Sequence, residues 1–214
     1  DGHGGSLRAL QRSGALAHMR DKGITTISYF QVDNPTVHVI DPVFIGLHAT
    51  APGSSAEMSS KMVPKVDHAE KVGVFCHNER GVHVIEYSDL DPTLATKVDA
   101  HGQSEFIAGS IALHILGVEF VGRLTAEDSG LKLPFHQAHK KVPYWDPNSG
   151  EQVKPTEPNA IKFEMFVFDA LAFATGSIVL ETDRIEEFAP IKNAQGSDSP
   201  DSSKALQVQR AARW

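Results

Sequence analysis

Asp33 follows a β-branched and aromatic run over residues 24–32, and ligands of open α/β sheets gather outside the carboxyl ends of such strands. A carboxylate at that position is a candidate hard-metal ligand. Mg2+ takes one or two carboxylates and fills its remaining positions with water and substrate phosphate oxygens. The same Asp33-Asn34-Pro35 also suits an Asx-turn closing onto Asn34. Gly2-His3-Gly4-Gly5 lets a backbone approach a ligand closely, displays an imidazole and leads into a helix N-terminus, although an ordinary turn has the same composition. Lys162 and Lys192 each stand alone in apolar or acidic surroundings. A phosphate-binding cation looks like this, and so does a solvated lysine.

Other chemistries find less support. The chain has 11 histidines but neither a His-Glu-x-x-His pair nor a Cys-His ligand spacing. His136 and His139 fall three apart on a predicted strand, which turns their rings to opposite faces and disfavours a zinc site. His3-Gly4-Gly5 is like a hydrolase oxyanion loop, yet no Gly-x-Ser-x-Gly elbow follows it. There is no Walker loop, and Gly2-x-Gly4 lacks the third glycine of a dinucleotide fingerprint.

The elements that must hold these residues show in spacing and punctuation. Leu7, Leu10, Leu16 and Met19 predict a helix that Ser6 caps and Gly23 ends. The run 24–32 predicts a buried strand, and Asp41-Pro42 a helix through Phe44, Ile45 and Leu47. Short strands are expected over 61–66, 72–76 and 82–87, the last two joined by the turn Asn78-Glu79-Arg80-Gly81. Asp91-Pro92 predicts a short helix. A strand over 106–109 should enter a helix over 111–121, with Ser110 at the junction. Further along, the pattern predicts a strand over 133–142, a loop over 146–157, a Phe-rich helix over 161–174, a strand over 177–181 and a mobile loop over 197–203. Strands alternating with helices predict an α/β fold with a mixed sheet.

Length and charge bound the possibilities. A chain of 214 residues is long enough for one domain with a large core, burying about 70% of the unfolded surface. Twenty Lys and Arg against 27 Asp and Glu leave a net charge of −7, which speaks against a nucleic-acid partner. The single cysteine, Cys76, excludes an internal disulfide framework and suits a reducing, cytoplasmic compartment. No apolar run approaches the roughly 18 residues of a membrane span, so no membrane partner is expected. The start at Asp1 without Met and the stop inside an apolar, basic stretch at Trp214 suggest a piece of a longer chain.

One ordered set of motifs covers nearly all of the sequence. It comprises Asp1-Gly2-His3-Gly4-Gly5, Val32-Asp33-Asn34-Pro35, Asp41-Pro42-x-Phe44-Ile45-Gly46, Lys61-x-Val63-x-Lys65, Glu86-Tyr87-Ser88-Asp89, Lys162 through Asp169, and Pro190-Ile191-Lys192-Asn193-Ala194. The chain resembles the UDP-N-acetylglucosamine pyrophosphorylase branch of the UDP-sugar pyrophosphorylases. That resemblance implies a nucleotide-diphospho-sugar transferase fold, a Rossmann-like, GT-A type α/β/α sandwich. It also implies uridylyl transfer from UTP to a sugar 1-phosphate, with Mg2+ (or Mn2+) as cofactor. Residues 1–214 then correspond to the central part of a catalytic domain, without the family's upstream glycine-rich nucleotide loop or its C-terminal domain. By the same resemblance, Gly2 and His3 border the uridine and the sugar, Asp33 holds the metal, and Lys162 lines the nucleotide pocket. Glu86, Tyr87, Gly109, Ser110, Phe166 and Phe168 face the sugar, and Lys192 meets its phosphate.

Three residues differ from the family pattern. His3 stands where the N-acetylglucosamine branch has Asn and is more like the UDP-glucose branch. Ser110 replaces another Asn, and Gln195 replaces an Asp. N-acetylglucosamine 1-phosphate and glucose 1-phosphate therefore both remain as substrates. A non-catalytic sugar-nucleotide-binding protein and a His-dependent metal hydrolase are the readings from other classes.

Overall fold

Helix α1 (Gly5–Arg12) rises directly from the glycine turn in the computed structural model, which describes residues 2–127 and 132–214; Asp1 of the opening motif lies outside them. Gly4 is its N-cap, and the expected cap, Ser6, instead donates its hydroxyl to the His3 carbonyl at 2.7 Å. Gly14, at φ 78°, divides the expected single helix, so that α2 (Ala15–Asp21) runs separately up to the turn at Gly23. Strand β1 (Thr26–Tyr29) is the centre of the predicted run. Asp41 starts α3 (Pro42–Thr50) as its sequence indicates, its carboxylate accepting from the Val43 and Phe44 N–H groups at 2.9 and 3.1 Å. Strands β2 (Met58–Pro64), β3 (Val74–Asn78) and β4 (Gly81–Ile85) follow, and Asp91 caps the short α4 (Pro92–Ala95).

Beyond residue 106 the structure corrects the expected pattern in four places. The predicted helix over 111–121 is a strand up to Gly117: β5 spans Ala108–Gly117 and α5 begins only at Val118, ending at Thr125. An apolar run buried on both faces carries no period that separates strand from helix. Strand β6 (His136–Lys140) is as expected, but the predicted loop over 146–157 holds most of a hairpin of β7 (Tyr144–Asp146) and β8 (Glu151–Val153). The Phe-rich segment is strand β9 (Ala160–Glu164), paired with β6, and then a 3-10 helix over Val167–Phe173. Its aromatic content predicted a helix, whereas its cross-strand partners decide its conformation. Strand β10 (Val179–Glu181) and the short α6 (Arg184–Glu187) come next. The segment 197–203 is no mobile loop. It forms the capping box of α7 (Pro200–Ala212), in which Ser199 and Ser202 each accept a hydrogen bond from the other's backbone N–H.

β5 organises the sheet. One edge pairs antiparallel with β2, which pairs in parallel with β10. The other edge is shared: β3 reaches it at Gly109, with β4 outside β3, and β1 takes residues 114–117. The mixed sheet is as the sequence predicted. Between β3 and β1 the edge is left without a partner strand, and there β5 bulges: Met62 pairs with Ser110 but Lys61 pairs with Leu113. Ala112 in the bulge sits at φ 53°. A left-handed non-glycine residue costs roughly 1–2 kcal/mol, and such strain concentrates at functional sites.

Two apolar layers close over the sheet. On one face Leu7, Leu16, Phe120 and Leu124 from α1, α2 and α5 meet Leu171 of the 3-10 helix. On the other, Phe44 of α3 packs on Val63, Leu113, Ile115 and Phe188. No helix among the described residues is long and apolar enough to cross a membrane.

Candidate functional site

The unpaired stretch of β5 is the floor of a cleft of about 170 Å³. Chain segments converge on it because β1 and β3 approach along the same edge of β5 and both turn away there. The end of β1 delivers Gln31 and Asp33, the approach to β3 delivers Lys71 and Gly73, and the bulge supplies Ser110 and Ala112. The exit of β4 brings Glu86 and Tyr87, and the segment after α6 brings Lys192. His3 and Phe168 form a further wall.

Seven residues singled out from sequence thus share one cleft: His3, Asp33, Glu86, Tyr87, Ser110, Phe168 and Lys192. Phe166 lies behind them, stacked on His3 with ring centroids 5.0 Å apart. Gly2 and Gly4 serve the site indirectly. A Cβ on Gly2 would lie 2.4 Å from the Met165 carbonyl oxygen, and the Gly4 N–H donates to that oxygen at 2.7 Å. The close approach predicted for this turn is made to the protein's own backbone. Gly109 likewise belongs to the sheet, where a Cβ would meet the Val63 carbonyl at 3.0 Å. Lys162 is not brought to the cleft; it stands on β9, more than half exposed, and pairs with Glu164 at 2.8 Å. Lys71 and Gln31 are cleft residues that sequence reasoning missed. Lys71 lies in a charged, turn-like stretch identical in composition to a solvated surface, so no local signal marked it.

His3 is held as a neutral ring with a defined tautomer. Its Nδ1 accepts from the Val167 N–H at 3.1 Å, which leaves the proton on Nε2. Burial pushes its pKa down, with Glu164 opposing in part. His3 can therefore offer one N–H donor to a ligand without bringing a charge.

Asp33 and Lys192 are fixed relative to one another. The Ile191 N–H donates to the Asp33 carbonyl at 2.8 Å, and the Lys192 N–H donates to the Asp198 carbonyl at 2.7 Å. Asn34, not Asp33, makes the structural side-chain bonds of this turn. Its amide donates to the Glu187 carbonyl at 2.7 Å and accepts from the Ala189 N–H and Thr36 hydroxyl at 3.1 and 3.0 Å. Behind it the buried Lys61 ammonium joins Asp41 at 2.6 Å and Glu187 at 2.5 Å. His38, Asp41 and Glu187 lie close enough together to suggest a metal cluster, but the Lys61 ammonium already bonds both of its carboxylates. Opposite Asp33, burial and then Asp89 push the Glu86 pKa up, while His136 and Lys192 pull it down. Burial also pushes the Tyr29 phenol up to about 12 against a bond from Gln31, so it stays protonated.

Under the cleft, His114 of β5 is fully buried, its Nδ1 2.8 Å from the Ser60 hydroxyl and its ring stacked on Tyr29. Burial pushes its pKa from 6.5 down to about 3, and His3 adds to the effect. The unfolded chain takes up this proton as pH falls through 6.5, and the folded chain refuses it until about 3. Stability is thus complete above that window and falls within it by about 1.4 kcal/mol per pH unit. Urea unfolding at about pH 7 and about pH 5 should show this slope in the wild type and lose that share of it in His114→Gln; equal slopes would remove His114 as the source.

The family model described as UTP–glucose-1-phosphate uridylyltransferase matches residues 1–208. The UDP-N-acetylhexosamine pyrophosphorylase-like protein 1 of Xenopus tropicalis is 41% identical over 214 residues, which is 100% of this chain and 40% of that protein. The UDP-N-acetylglucosamine pyrophosphorylase of Saccharomyces cerevisiae is 36% identical over 220 residues, 100% of this chain and 45% of that protein. The crystal structure of the uridine diphosphate N-acetylglucosamine pyrophosphorylase from Trypanosoma brucei in complex with inhibitor matches with a TM-score of 0.76 and 28% identity, over 94% of this chain and 38% of that one. The chain spans less than half the length of these relatives.

Proposed function

Because the chain belongs to the UTP–glucose-1-phosphate uridylyltransferase family, we propose that it carries the sugar-phosphate side of a uridylyl-transfer site, making a UDP-sugar and pyrophosphate from UTP and a sugar 1-phosphate. The observation that carries this reading is that Asp33 and Lys192 line one cleft together with His3, Glu86, Tyr87 and Phe168. An ammonium suits a phosphate, a carboxylate suits the Mg2+ that accompanies phosphates, and an aromatic and hydrogen-bonding wall suits a sugar.

In the reaction, a phosphate oxygen of the sugar 1-phosphate forms a bond to the α-phosphorus of UTP. The bond from that phosphorus to the bridging oxygen breaks, and its electron pair leaves with pyrophosphate. The nucleophile is already an anion, so no general base is required; catalysis consists of positioning and charge neutralisation. Lys192 places its ammonium against the sugar phosphate. Glu86 and Tyr87 bond the sugar hydroxyls, Ser110 borders the sugar at the floor, Phe168 supplies an apolar face, and His3 donates from Nε2. Asp33 fits Mg2+, since one carboxylate at an open cleft leaves the remaining positions to water and phosphate oxygens. Bound there, the ion would offset charge on the α-phosphate. A few focused groups let a chain of net charge −7 handle an anionic substrate.

The names of the relatives from Saccharomyces cerevisiae and Trypanosoma brucei support N-acetylglucosamine 1-phosphate as the sugar phosphate. The imidazole of His3 in the cleft wall favours glucose 1-phosphate as the second reading. Pyrophosphate release from UTP with each sugar phosphate, measured on the complete parent enzyme because this segment by itself is expected to be inactive, tests both. Faster release with one identifies the sugar, and release with neither overturns the assignment in favour of a binding protein.

A further inference from the structure

We infer that His136 is a positioning residue for the sugar side of the cleft, holding the Phe166 and Phe168 wall against His3 and against the turn that carries Glu86 and Tyr87. It rests on the uridylyl-transfer reading; the sequence raised His136 only as half of a disfavoured zinc pair with His139.

Three contacts converge on this ring. Its Nε2 lies 2.9 Å from Asp169 Oδ2 in the 3-10 helix that also carries Phe168. Its Nδ1 lies 3.6 Å from Asp89 Oδ2. Asp89 in turn donates its backbone N–H to the Glu86 carbonyl at 2.9 Å, so a pull on Asp89 acts on the Glu86 turn directly. The ring packs on Phe166 in a tilted arrangement with centroids 4.6 Å apart. Phe166 thus touches two imidazoles, His136 and, at 5.0 Å, His3, with Phe168 also at 5.0 Å. Aromatic contact continues through His3 to Tyr29, a tilted pair, and on to the buried His114, so that rings run from β6 to the centre of the sheet.

Each contact ends on a different segment of the sugar side: the 3-10 helix, the turn after β4 and the aromatic wall. None ends on Asp33 or Lys192. Loss of His136 should thus loosen the grip on the sugar and leave the phosphate groups in place. A stitch that serves only the fold would lower stability without distinguishing one substrate from the other.

Steady-state kinetics on the intact protein make that distinction. His136→Phe keeps an aromatic ring and loses both polar contacts; His136→Gln loses the ring and keeps a donor for Asp169. The expected result is a rise of about tenfold in KM for the sugar 1-phosphate in His136→Phe, a smaller rise in His136→Gln, and an unchanged KM for UTP in both. If His136→Phe does not fold, the KM split in His136→Gln decides. Equal changes in both KM values, or a change in neither, overturn the positioning role and leave the uridylyl-transfer reading standing. Absence of pyrophosphate release by the wild type with either sugar phosphate overturns both.

Discussion

Asp33→Asn is expected to remove most turnover, on the order of 10²–10³-fold, while the protein melts close to the wild-type temperature. The substitution keeps the shape of the side chain and deletes its charge. The structural bonds of the turn come from the neighbouring Asn34, and the Ile191 N–H bonds the Asp33 backbone carbonyl, which Asn retains. The fold therefore has little reason to notice the change. The proposed charge neutralisation at the α-phosphate does, because it rests on the Asp33 carboxylate, which lines the cleft together with Lys192. Excess Mg2+ should not restore the rate, since the deficit is a ligand and not an ion. Pyrophosphate release across a Mg2+ titration, read beside a melting curve, checks this. Turnover at the wild-type level would take Asp33 out of any metal site.

The second large effect is on stability and comes from Lys61→Ala. Lys61 is 1% exposed, its ammonium bonded to Asp41 and Glu187, with the Phe44 ring 5.2 Å away. Removing one partner of a buried ionic group strands the others, which costs about 3–5 kcal/mol. In a domain of this size each kcal/mol moves the melting temperature by about 2–4 °C, so a fall of roughly 6–20 °C is expected. Burial works against ionisation of Asp41, but the bond from Lys61 and the backbone N–H groups of α3 outweigh it and hold its pKa below the usual range. In the variant the Lys61 share of that support is gone, so the deficit should shrink at acid pH as the stranded Asp41 carboxylate protonates. A loss under about 1 kcal/mol by calorimetry, the size of an exposed ion pair, would show that the triad is not the clasp described here. Glu187 also holds Asn34 through its carbonyl, so Lys61 is tied to the turn that presents Asp33.

The same residues show how far sequence carries. Helix starts were legible because a cap is local chemistry: Asp41-Pro42 and Asp91-Pro92 need only their own next few N–H groups. The strand-and-helix alternation of an α/β fold was legible for a similar reason, and the ordered motifs named about half of the cleft lining. The run 108–117 was not, since apolar residues on every face suit a buried strand and a buried helix equally. Residues 197–203 were misread because Ser, Asp and Pro compose loops and helix caps alike.

Within the candidate site, sequence by itself named groups that the fold then gathers in one cleft: Asp33, His3, Glu86, Tyr87, Phe168 and Lys192. Tertiary structure alone decided where the other lysines stand relative to the cleft. It placed Lys71 at the cleft, left Lys162 on a ribbon paired with Glu164, and buried Lys61 as a clasp. A lysine's role depends on what lies within a few ångströms of its ammonium. Those neighbours come from segments far apart in the chain, joined only when β1 and β3 meet the same edge of β5 and leave a gap between them.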